Sequence, residues 1–292
     1  MAAAGNVVAV NGELAQMASL ASHGSGWLSG GGRADPPALD RSNSTFEHVG
    51  AVAFRSPGGP WGPEWQAGTV TSWLRRLRDR QVYRLWLVIP EARPVTDIGE
   101  PVDEHMLLGF ANGGRWSLAA TGARRPEMWR AYWGAEEEAE DGAWSVRYEG
   151  AYVDHVSPQR PELDGARAEL TRALQAVRQF AERQLDMGTW SALFAQALAS
   201  RGVIPHFPDM LPPSYPSEAR DLAAMAAAGW VFGAMGSWND VVLDDVAAAA
   251  DYAELSRGLY NAVRLALLAS VNCDLDDASA LAALEPDDGP LF

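Results

Sequence analysis

Five histidines, one cysteine and not one lysine set the limits of the chemistry this chain can do. Without lysine there is no ammonium for the phosphates of a P-loop, no amine for a Schiff base and no strand lysine for a kinase. All 23 basic residues are arginine, the usage expected of a GC-rich, bacterial coding sequence. Cys273, being alone, can form neither an internal disulfide nor a cysteine-based zinc site, and it fits a reducing, cytoplasmic compartment.

Three histidines each follow an acid, as Glu47-His48, Glu104-His105 and Asp154-His155. On neighbouring strands their imidazoles could converge on zinc. Adjacent strand residues point to opposite faces, however, so no acid would orient its own histidine. No H-x-H, H-x-x-x-H or H-E-x-x-H spacing occurs, and the expectation is that no metal or other cofactor is needed. A second candidate is the loop with five prolines between Pro205 and Pro216. It carries His206, Asp209 and Tyr215, which could do acid–base work or line a pocket if the stiff loop held them together. Asp240, Asp244 and Asp245 favour the positive end of a short helix over a cation site. G-x-S-x-G and G-x-G-x-x-G are both absent, which removes the nucleophile elbow and the dinucleotide fingerprint.

Two features suit partners rather than substrates. Arg75, Arg76, Arg78, Arg80 and Arg84 form the densest basic run, and arginine forks match carboxylates and phosphates. Arg75, Arg76 and Arg78 fall on a helix face turned away from Trp73 and Leu77. At the other end, residues 274–292 hold six acids and no base, and close on Leu291-Phe292. A charged tail ending in two large apolar residues reads as a docking peptide. Leu291-Phe292 resembles the end of the bacterial sliding-clamp-binding peptide over these residues alone. The glutamine and first leucine of that peptide are missing here. The net charge of −15 leaves little electrostatic footing for nucleic acid.

The elements that must position these groups follow from periodicity. Residues 1–44 are rich in Ala, Ser and Gly without period, and are expected to be mobile apart from a strand at Asn6–Val10. Val49–Phe54 and Val82–Ile89 read as strands, with an amphipathic helix at 69–79 between them. His105–Phe110 and Trp116–Thr121 flank Asn112-Gly113 and predict a type I′ hairpin; Met128–Trp133 and Trp144–Val153 predict a second. Eight of the 12 tryptophans lie between Trp61 and Trp144, and the expectation is that they form the core of this sheet. After Pro161 the period becomes 3.6, and helices are expected at 163–180, 190–200, 217–235, 238–249 and 250–272.

Met187-Gly188-Thr189-Trp190 recurs as Met235-Gly236-Ser237-Trp238. A left-handed Gly ending one helix and a Ser or Thr capping the next predict two tight corners. The chain therefore reads as α+β. A mobile segment (1–44) precedes an antiparallel, Trp-rich meander domain (45–157), a helical domain (158–273) and an acidic tail (274–292). No 18-residue apolar run is present, so no transmembrane helix is expected. The functional expectation is a non-enzymatic binding or assembly protein with a protein partner or self-association, through Arg75, Arg76, Arg78, Leu291 and Phe292. The alternative is a small-molecule binder or hydrolase with a pocket where sheet meets helices, served by His206, Asp209 and Tyr215.

Overall fold

The structure, a computed structural model, describes residues 11–56, 58, 62–96, 101–135, 143–233 and 235–273. The elements in chain order are α1 (Gly12–Ser29), β1 (Val49–Ser56), β2 (Trp65–Ala67), α2 (Val70–Asp79), β3 (Val82–Val88), β4 (Ser117–Gly122), β5 (Glu127–Ala135), β6 (Trp144–Tyr152), α3 (Leu163–Arg183), α4 (Gly188–Ala199), α5 (Ser217–Ala228) and α6 (Val246–Val271). The fold is α+β, with one six-stranded sheet in the order β2-β1-β6-β5-β4-β3. The expected antiparallel meander holds for β3 to β6. The sheet as a whole is mixed, because β1 returns beside β6 in parallel. Alternating apolar residues specify a strand and its buried face but not which strand lies beside it.

The largest departure from expectation is at the N-terminus. Residues 12–29 form a helix rather than a mobile segment, and from Leu14 to Ser22 every residue is buried. Its Ala, Ser and Gly side chains give no amphipathic stripe, because a helix covered on all sides needs none. Small residues let it approach its neighbours closely. A Cβ on Gly24 would stand 2.5 Å from a Leu85 methyl and 3.1 Å from a Leu74 methyl. Asn11 caps the helix through its side chain, which accepts from the amides of Glu13 and Leu14. The expected strand at Asn6–Val10 lies outside the described residues.

The position of α1 also explains how an edge strand is closed. β3 is at the end of the sheet, with one side facing no strand. The Ser25 hydroxyl donates to the Leu85 carbonyl (2.7 Å) and accepts from the Leu85 amide (3.0 Å). Two residues on, the Asn272 side chain accepts from the Leu87 amide (3.0 Å) and donates to its carbonyl (2.8 Å). The exposed ladder of an edge strand, a template for unwanted pairing, is thus occupied by side chains from two helix ends.

Phe54, Trp73, Trp129 and Tyr148 form a stacked and edge-on aromatic core on the inner face of the sheet. The tryptophans between 61 and 144 are not uniformly core. Trp73, Trp129 and Trp116 are buried, while Trp65, Trp86 and Trp133 are half-buried and Trp144 is exposed. Trp61 lies outside the described residues. Trp86 is on the outer face, beneath the guanidinium groups of Arg84 and Arg160.

The helices α3 to α6 run up, down, up and down. Arg167 of α3 bonds to Glu218 at the start of α5, and Leu174 meets Gly229 just past its end, so these two helices are parallel. Gln159 is bonded to Asn272, and Phe180 touches Tyr252, so α3 and α6 are antiparallel. Sheet, α1 and bundle share one continuous apolar core. Of the two predicted corners, the second has the expected local geometry, with Gly236 at φ +84° and Ser237 accepting from the Asn239 amide, but it follows α5 at a distance and caps a 3-10 turn rather than a helix. The first does not have that geometry. Asp186 takes the left-handed conformation (φ +65°), and α4 begins at Gly188 without a side-chain cap. The expected helix at 238–249 is a 3-10 turn followed by irregular chain, with only residues 246–249 helical as the start of α6, and α5 stops at Ala228.

Candidate functional site

The sequence candidates do not assemble into one site. His48 and His155 are exposed on the surface while His105 is buried. Among the described residues, no three His, Cys, Asp or Glu side chains come together as a metal site. In the proline loop His206 is exposed, with φ +63°. Asp209 turns away to accept from the Ser44 amide and hydroxyl. Tyr215 is buried and donates to the Val271 carbonyl, its phenol pushed up by burial. The loop is therefore a clamp: Ser22 and His23 of α1 bond to the backbone of Met210 and Asp209.

The arginine run divides in the same way. Arg75 pairs with Asp35, and Arg78 with Asp79 and the Gly32 carbonyl, both on the exposed face of α2. Arg76 is exposed on the same face. Arg80 turns inward to the buried Glu127 (2.9 Å) and to Tyr152. Arg84 reaches the carbonyls of Asn272 and Cys273. Leu291 and Phe292 lie outside the described residues.

What the sequence did not reveal is a buried polar cluster where sheet meets bundle. Residues 104–107 form a 3-10 turn, not the expected strand. A 3-10 turn, unlike a strand, lets Glu104 and His105 both face inward. Glu104 accepts from Tyr260 (3.0 Å) and from Arg115 (2.6 Å). His105 Nδ1 lies 3.0 Å from the Asn239 Oδ1, and Asn239 donates back to the His105 carbonyl. Burial lowers the His105 pKa, against the pull of Asn239 and of Asp103, 3.9 Å from Nε2. The Tyr260 phenol is pushed up by burial and by the Glu104 charge. Trp116, Trp230, Phe232 and Tyr260 fill the remaining space edge to face. Glu104 is thus bonded to Tyr260 and Arg115, and His105 to Asn239, while the buried His105 Nε2 has no hydrogen-bond partner. A hollow of about 680 Å³ lies elsewhere, beside Arg160, Glu162, Asp164 and Glu218.

The open apolar site lies at the other end of the same turn. Leu108, Phe110, Trp133 and Trp144, with Asn11 to Glu13 of α1, line a groove of about 260 Å³. Phe110 is 69% exposed and Trp144 37%, unusual for side chains of this size. The indoles of Trp133 and Trp144 meet edge to face, 6.1 Å apart. The walls are fixed by hydrogen bonds. The Asn112 side chain accepts from the Trp133 amide (2.8 Å) and donates to its carbonyl (2.9 Å). The Asn112 amide donates to Glu13 (2.7 Å), and Asn11 donates to the Leu108 carbonyl. Asn112 takes the left-handed conformation (φ +62°) that Asn tolerates, but the turn connects to β4 from a 3-10 turn, so no hairpin forms. Phe110 inside the run Gly109-Phe110-Ala111-Asn112-Gly113-Gly114 was the one signal that could have marked this groove.

No family model, curated protein or solved structure matches the chain.

Proposed function

We propose that the chain is a non-enzymatic binding or assembly protein of the cytoplasm, and that the groove of Phe110, Trp133 and Trp144 is a protein-contact site. The observation that carries this reading is a preformed aromatic groove left open while aromatic rings pack around the Glu104 and His105 cluster. At about 260 Å³ the groove is smaller than the roughly 300–1,000 Å³ common for small-molecule pockets. It suits one or two large apolar side chains of a peptide, the anchor type that dominates protein interfaces. Among the described residues no helix is long and apolar enough to cross a membrane, and a lone cysteine fits a reducing compartment.

The alternative, a pocket enzyme at the junction, has less support. Glu104 is bonded to Tyr260 and His105 to Asn239, and the rings of Phe232 and Tyr260 pack against the His105 imidazole.

The test is selection of random displayed peptides against the full chain. The expected result is enrichment of peptides with a Trp, Phe or Leu anchor, lost when the bait carries Phe110→Asp or Trp144→Ser. Enrichment that ignores both substitutions would remove the groove from the reading. No enrichment at all would argue against a peptide-binding function.

A further inference from the structure

Both Met-Gly-Thr/Ser-Trp corners fall at the same end of the bundle, because α3 and α5 run up and α4 and α6 run down. Their tryptophans meet there, Trp190 against Trp238 at 5.2 Å, with Tyr252 of α6 beside them. The two corners also differ in the burial of their methionines. Met187 is buried, whereas Met235, its counterpart, is 91% exposed. Leu185 at 93%, Val242 at 86% and Val246 at 84% stand at the same end. These four are the most exposed large apolar side chains of the described residues. Scattered singly they would be ordinary, but four at one end of a bundle are where an interaction surface is to be sought. The surrounding charge is one-sided. Asp186, Asp240, Asp244 and Asp245 are exposed at this end, with Arg183 the nearby base.

We propose that this end of the bundle is a second docking surface, for a basic amphipathic helix or peptide of another protein. The occupant follows from charge. A second copy placed face to face would set aspartate against aspartate, which costs affinity and slows encounter. An anionic membrane would be repelled for the same reason. A partner with an apolar stripe flanked by Arg or Lys would cover the four side chains while its cations met the aspartates. This surface is independent of the aromatic groove, and the two lie on different layers of the fold.

The test uses the full chain and a synthetic amphipathic peptide of leucine and arginine, about 18 residues long, or five helical turns. Titration should give saturable binding. Met235→Ser with Leu185→Ser should weaken it at least about tenfold. Asp186→Asn with Asp244→Asn should do the same, and so should raising salt. A control that removes two acids at a distance, Asp164→Asn with Glu169→Gln, should leave affinity within about twofold. Binding that is absent, or equal for a leucine–glutamate peptide, overturns the proposal. It is also overturned if the distant control weakens binding as much, since net charge alone would then explain it. Zwitterionic vesicles that bind this patch and displace the peptide would overturn it in favour of a lipid contact. Phe110→Asp should leave this binding unchanged, so failure here and failure of the groove are separable.

Discussion

His105 carries a pH dependence whose sign can be worked out. Its folded pKa lies below the ordinary value of 6.5 because burial opposes the charged ring, and His23 on α1 is lowered for the same reason. Above about pH 6.5 both states are neutral and stability is flat. As pH falls below that value the unfolded chain takes up protons that the folded chain resists, so stability falls. It levels off once the folded histidines also protonate. Half-buried Glu13 and buried Glu127, raised by desolvation, act the other way nearer their ordinary value of 4.5. The expected outcome is a melting temperature that drops between about pH 6.5 and 5, with a smaller drop in His105→Gln. An unchanged slope in that variant would assign the dependence elsewhere.

At the scale of the element, the edge of β3 is the point of interest. Asn272→Ala leaves the Leu87 amide and carbonyl without partners, and an orphaned buried group costs about 1–3 kcal/mol. Hydrogen exchange should show the Leu87 amide opening faster than that of Leu85, which Ser25 still holds. If Leu87 stays as protected as before, the side-chain seal is not what closes this edge. The same device recurs where Asn112 bonds both backbone groups of Trp133. These contacts join residues 60, 185 and 21 positions apart, and no local pattern encodes them. The strands and helices themselves were legible where periodicity was strong. The helix expected at 69–79 is α2, within a residue, capped by Thr69 and Ser72.

For the whole molecule, α1 is the element that sheet and bundle share, and Gly24 is where it passes closest to its neighbours. Gly24→Val would force branched methyls into Leu85 and Leu74, with an overpacking cost of about 1–3 kcal/mol. Because the core is continuous, tryptophan fluorescence and far-ultraviolet circular dichroism should shift together in denaturant, in a single transition. If the fluorescence midpoint moves while the helical signal does not, sheet and bundle unfold separately and α1 belongs to one of them.

The sequence by itself determined the class of the fold, most strand and helix positions and the chemistry that the lack of lysine forbids. Those properties depend on residue type and on spacing along a few turns. It misread residues 12–29, because an Ala-, Ser- and Gly-rich helix buried on every side has no polar face to set its period. It also misread Glu104-His105, where a 3-10 turn replaced the expected strand and brought both side chains inward. Only the tertiary structure decided that β1 lies parallel to β6. Only there do Phe110, Trp133 and Trp144 converge, and only there do Leu185, Met235, Val242 and Val246 share one end of the bundle. Each of these is a meeting of segments far apart in the chain, fixed by packing and by long-range hydrogen bonds rather than by local preference.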